Sequence, residues 1–173
     1  MGLPRTFVGF SSTDIRRYHL MLAWKEHEHI DFNFADCQLQ SELNSQDEGY
    51  IKRKCRERIN MAGTYLLLIG EDTRYKHKYV RWEAEVALEK KCQIVCVNLD
   101  GWRRINEATC PPVIRNVGAM FVPYSPQIIA RALEHADRPD SKNWEFDDAI
   151  YSQLGYTLNG NRAERPKRTF PFQ

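Results

Sequence analysis

Apolar positions fall into short runs and helical stripes that alternate along the chain. Residues 6–10 (T-F-V-G-F) form a brief β-prone run and predict a first strand. Ser11, Ser12, Thr13 and Asp14 follow, with side-chain oxygens suited to the free N–H groups of a helix start. Ile15, Tyr18 and Leu22 then recur at helical spacing, with Trp24 near the end of the stripe. Residues 30–35 alternate around Phe32 and Phe34 and predict a second strand. Residues 38–48 are polar and without period, which predicts a long loop of the kind that often carries function.

Ile51, Cys55, Ile59 and Ala62 mark an amphipathic helix that Gly63 ends. Residues 64–69 (T-Y-L-L-L-I) read as a central strand buried on both faces. After a polar connection over 70–78, Val80, Ala84, Ala87 and Leu88 give a third helical stripe. Residues 93–99 predict another buried strand, stopped by Asp100-Gly101, and 102–116 is irregular around Pro111-Pro112. Residues 119–123 predict a fifth strand, and Pro126 opens a helix that runs through Ile129 and Leu133. Pro139 breaks the pattern over 137–140, residues 144–154 suggest a short docked helix, and residues from Asn159 onward read as a loose basic tail.

Strands that alternate with helices predict a parallel sheet covered on both faces. The expectation is one α/β domain over 1–158 with a tail over 159–173. Its five-stranded sheet takes the flavodoxin-like order 2-1-3-4-5. In that arrangement the ligand crevice lies beyond the carboxyl ends of the strands, where the order reverses. The loops after strands 1, 2 and 3 should line it. They carry Phe10, Ser11, Ser12, Thr13 and Asp14, then Asp36 with Cys37 and Gln38, then Gly70 to Thr73. Such a mouth suits ribose hydroxyls and phosphates. For Ser12 and Thr13 plain helix capping is the competing reading.

Composition narrows the function classes. Apolar residues make up 42% and charged residues 28%, normal for a globular protein, and a net charge of +2 gives no argument for nucleic acid. The basic stretches 52–58 and 162–168 read as a solvated helix face and a tail. The five cysteines are odd in number and form no C-x-x-C pair, which suits reduced thiols. No signal peptide or membrane span is expected, so the expected location is the cytoplasm with no membrane partner. No metal site is expected either. There is no Walker loop, G-x-S-x-G or G-x-G-x-x-G, and the histidines stand at no metal spacing.

The third helix holds the sharpest candidate. At about 100° per residue, Glu83 falls at the margin of the apolar stripe, while Glu85 lies further round and Glu89 points roughly the opposite way. A carboxylate at such an edge can be tuned by desolvation and still be reached. The bland alternative is a partly covered surface glutamate.

The segment Tyr79-Val80-Arg81-Trp82-Glu83, placed after Leu66-Leu67-Leu68-Ile69-Gly70, resembles the TIR-like family of bacterial defence proteins. In that family a strand ending in L-I-G precedes a W/Y-V-R-x-E helix start. Phe7 to Asp14 is similar to the family's first strand and loop, F-x-S-F/H-x-x-D. Asp36 falls where the family places an acidic residue, and Lys90-Lys91 with residues 93–97 resemble its following strand. The likeness covers roughly residues 5–125 and is greatest to the TIR-like proteins of the Thoeris antiphage system. Gly9 departs from it, since the family more often has Ser before the aromatic.

The resemblance implies that Glu83 is catalytic and that Phe10, Ser11, Ser12, Asp14, Asp36 and Trp82 contact substrate. It implies cleavage of NAD, as substrate and not cofactor, at the nicotinamide–ribose bond. The product would be a cyclic ADP-ribose-like signal for a separate effector. Self-assembly through TIR–TIR contacts and a phage-derived trigger are implied as partners. For Trp82 packing against a neighbouring element is the competing reading. Two other functions stay open: a non-enzymatic TIR-like interaction module, and a nucleoside deoxyribosyltransferase. A response-regulator receiver fits less well, because strand 1 does not end in paired acidic residues.

Overall fold

The computed structural model describes residues 2–35, 47–75, 78–135 and 142–165. Strands β1 (Thr6–Gly9), β2 (Phe34–Ala35), β3 (Thr64–Ile69), β4 (Gln93–Asn98), β5 (Met120–Pro123) and β6 (Trp144–Glu145) form one sheet. Their order is β2-β1-β3-β4-β5-β6 and every pairing is parallel. The predicted 2-1-3-4-5 order therefore holds, with a short sixth strand added at the far edge. The order reverses at β1 and β3, as the flavodoxin-like arrangement requires.

The helices are α1 (Ile15–His27), α2 (Glu48–Asn60), α3 (Tyr79–Glu89), α4 (Pro126–His135) and α5 (Asp148–Gln153). Asp47 caps α2 by accepting from the Tyr50 N–H at 3.1 Å. Every residue of β1, β3 and β5 is buried, which explains their near-continuous apolar sequence. One core joins the sheet to α1, α3 and α4, with Tyr65, Phe7 and Phe121 among its largest side chains. Ile51 and Cys55 of α2 make a smaller cluster against Tyr79 and Trp82.

Three segments differ from the expectation. The second strand is reduced to Phe34–Ala35, because the Phe32 N–H bonds back to the Ile30 carbonyl and His29 has φ 54. The 144–154 segment begins as β6, whose Trp144 N–H bonds the Ala119 carbonyl, and only then becomes α5. Beyond it, β7 (Thr157–Asn159) and β8 (Arg162–Glu164) pair as an antiparallel hairpin that starts at the end of the expected domain and runs into what reads as a loose tail from Asn159. The hairpin is pinned from the loop after β4. The Arg103 N–H donates to the Asn161 carbonyl, Arg103 Nε donates to the Gly160 carbonyl, and Arg103 pairs with Asp148. The expected loop over 38–48 falls outside the described residues except at Asp47 and Glu48, as do the break at 137–140 and residues from 166.

Candidate functional site

Glu83 is 6% exposed, so it lies inside the buried face of α3 and not at its margin. The correction has a steric cause. Gly9, the last residue of β1, has no side chain, and the carboxyl fills that space. A β-carbon at position 9 would stand 2.7 Å from Glu83 Oε2 and 2.5 Å from the Tyr65 hydroxyl oxygen. Tyr65 comes from β3, where it pairs with Phe7 and stacks on its ring. Three elements thus converge at the carboxyl end of β1, next to the point where the strand order reverses.

Burial pushes the Glu83 carboxyl up to about 8, and the nearby Tyr65 hydroxyl opposes the shift only in part. Oε2 is buried without a well-formed hydrogen bond. The protonated form therefore prevails at neutral pH in the free protein. A cation brought against this carboxyl would favour its charged form and draw the proton off.

A second polar group forms where the loops after β1 and β3 meet. The Thr13 hydroxyl lies 2.9 Å from Asp72 Oδ1 and 3.0 Å from Oδ2, and Ser11 Oγ is 2.9 Å from Thr13 Oγ1. The Gly70 N–H donates to Thr73 Oγ1 at 2.8 Å. Asp14 is half-buried and its carboxyl is held above the ordinary aspartate range, first by burial and then by Asp72. Neither Ser11 nor Asp14 makes a side-chain capping bond, so the hydroxyl chemistry here is turned between loops and not onto the helix.

The remaining candidates scatter. Phe10 stacks on Tyr18 with ring centroids 4.7 Å apart, and Ser12 is exposed. Trp82 turns to α2: it meets Tyr79 edge-on, and Lys52 Nζ lies 4.1 Å from the centre of its ring. This is the packing contact that the sequence offers as its alternative. Asp36 lies outside the described residues. Tyr65 is a site residue that the sequence pattern hides within an apolar run, its one signal being a phenol hydroxyl that needs a polar neighbour when buried.

An open groove of about 380 Å³ lies between the Thr73–Tyr75 turn, the start of α3 and Pro111 to Val113. From α3 it takes in Val80, Arg81 and Glu85 and not Glu83. Among the described residues no group of His, Cys, Asp and Glu is arranged to hold a metal ion. No helix among them is long and apolar enough to cross a membrane.

A family model described as Thoeris protein ThsB, TIR-like domain, matches residues 7–104, more than half of the chain. The chain belongs to this TIR-like family. The matched span begins in β1 and ends beyond β4, so it contains Gly9, Tyr65 and Glu83. Membership associates the TIR-like domain with antiphage defence. A search of curated proteins finds no match.

Proposed function

We propose that this TIR-like domain cleaves NAD at the nicotinamide–ribose bond, with Glu83 as the catalytic carboxylate, and makes a cyclic ADP-ribose-like signal for a separate effector. The observation that carries the reading is the lone carboxyl of α3 buried against Gly9 at the carboxyl end of β1, in apolar surroundings.

Breaking the N-glycosidic bond sends its electron pair onto the pyridinium nitrogen, so nicotinamide leaves neutral and needs no general acid. Positive charge grows on the ribose carbon and ring oxygen. An ionised carboxylate in a water-poor site stabilises that charge far better than it would in water. The pyridinium of NAD supplies the cation that ionises Glu83 on binding. Water attacking the ribosyl cation gives ADP-ribose and a proton. A hydroxyl of the same molecule gives a cyclic product and a proton. The hydroxyls of Ser11 and Ser12 and the carboxyls of Asp14 and Asp36 are assigned to the rest of the nucleotide, with Phe10 as an apolar wall. Because Glu83 is nearly covered, NAD entry requires the groups above Gly9 to shift.

Mass spectrometry of nucleotides after incubation with NAD, alone and with phage-infected lysate, tests the reading. Loss of NAD with a new cyclic nucleotide supports it. Intact NAD in both incubations rejects it.

The second reading is a non-enzymatic TIR-like interaction module. The deep burial of Glu83, and a groove that passes it by, favour that reading. Under it, Glu83→Gln leaves partner binding intact.

A further inference from the structure

Gly9 and Tyr65 have no role in the candidate set above, yet both touch its central carboxyl. The β-carbon missing from Gly9 would stand 2.5 Å from the Tyr65 hydroxyl oxygen, 2.8 Å from Tyr65 Cε2 and 2.7 Å from Glu83 Oε2. Real β-carbons do not approach other atoms so closely. The phenol and the carboxyl therefore share a space that exists only because residue 9 is glycine. The backbone at Gly9 has no positive φ, so its lack of a side chain, and not its conformational freedom, is what the site uses.

Tyr65 is fully buried in a strand whose neighbours Leu66, Leu67 and Leu68 are purely apolar. A phenylalanine would fill that volume without a polar atom to satisfy. The hydroxyl is a polar group in an apolar strand, set beside the one buried carboxyl of α3. Among the described residues no charged side chain acts on Glu83, which leaves burial and Tyr65 as the influences on it.

We propose that Tyr65 is a positioning residue, its hydroxyl holding the Glu83 carboxyl in one orientation over Gly9, in the space that the glycine leaves open. The inference rests on the proposed NAD-cleaving role of Glu83 and adds a residue to it. In this arrangement the hydroxyl donates to the carboxylate once Glu83 is ionised, and so aids the charged form against burial.

The variant Tyr65→Phe tests this, since it removes one oxygen and keeps the ring. NAD turnover is measured against pH for the wild type, Tyr65→Phe and Glu83→Gln. For Tyr65→Phe, kcat is expected to fall about tenfold with KM within about twofold, and the rise of kcat/KM with pH to move up by about one unit. A purely structural tyrosine would lower the melting temperature and leave the pH profile in place. If Glu83→Gln is inactive while Tyr65→Phe keeps both the rate and the pH profile, the inference falls and the NAD reading stands. If Glu83→Gln turns over NAD like the wild type, the NAD reading itself falls.

An infrared titration of the buried carboxyl, with Glu83→Gln as the subtracted reference, reads the same contact without any need for turnover. A midpoint raised in Tyr65→Phe supports the contact, and an unchanged midpoint overturns it. Gly9→Ala gives a third reading. Its methyl group is expected to displace the carboxyl and the phenol and to alter the infrared band while the circular dichroism stays native. An unaltered band there also overturns the assignment.

Discussion

Asp14 lays its carboxyl against the bare α-carbon of Gly70. A β-carbon at position 70 would meet Oδ2 at 2.5 Å and Oδ1 at 2.6 Å. The contact ties the loop after β1 to the end of β3, across the point where the sheet order reverses. Gly70→Ala should therefore force Asp14 out of its place and cost about 1–3 kcal/mol. Gly63→Ala is the matched control, because no heavy atom lies within 4 Å of its added carbon. That change should be neutral or stabilise by up to about 1 kcal/mol. Urea unfolding of both variants checks the contrast.

Glu83 couples stability to pH. Its carboxyl titrates near 8 in the fold against an ordinary value of 4.5. Between those values the folded state keeps a proton that the unfolded chain has released. Stability must then fall as pH rises through that window, and the penalty is complete above it. Glu83→Gln removes this slope. It should be more stable than the wild type at pH 8, by roughly a few kcal/mol, with the difference gone near pH 4.5. Unfolding midpoints measured across the window show whether the two curves converge.

Arg103 is the pin of the C-terminal hairpin. Its side chain is 8% exposed and is held by Asp148 and the Gly160 carbonyl. Arg103→Ala removes a buried side chain and its bonds to the hairpin, while the exposed Asp148 and Gly160 acceptors turn to water, at a cost of about 1–2 kcal/mol. Amide exchange should rise over β7 and β8 first and leave β3 and β4 protected.

Trp82→Ala should separate packing from binding. The ring is half-buried against α2, beneath Lys52. A stability loss of about 2 kcal/mol with an unchanged KM for NAD is expected. A raised KM at unchanged stability would return Trp82 to the substrate contacts.

Much of this fold could be read from runs of apolar residues. β3 and β4 are continuous apolar stretches because both of their faces are covered, and Pro126 opens α4 as its fixed φ favours. The alternation of Phe32 and Phe34 predicts a longer second strand than β2, because the turn between Ile30 and Phe32 leaves no identifying residue. The hairpin at β7 and β8 has a single apolar residue in each strand, the facing pair Leu158 and Ala163 that packs against the core, and one such residue in three is too little for periodicity to register.

The site was legible to a similar depth. Helical phase gives the direction of Glu83 within its own helix. It cannot give the depth, because the depth is set by a missing β-carbon on another strand. Gly9 and Glu83 are far apart in the chain, and only the parallel register of β1 with β3 brings Tyr65 to the same point. The meeting of Thr13 with Asp72 follows from the same register.

Nicotinamide release from NAD by purified Glu83→Gln, beside the wild type under the condition that gives the wild type its highest turnover, bears most directly on the role of this carboxyl. The account predicts a loss of at least about a hundredfold with an unchanged fold. Turnover equal to the wild type would contradict it.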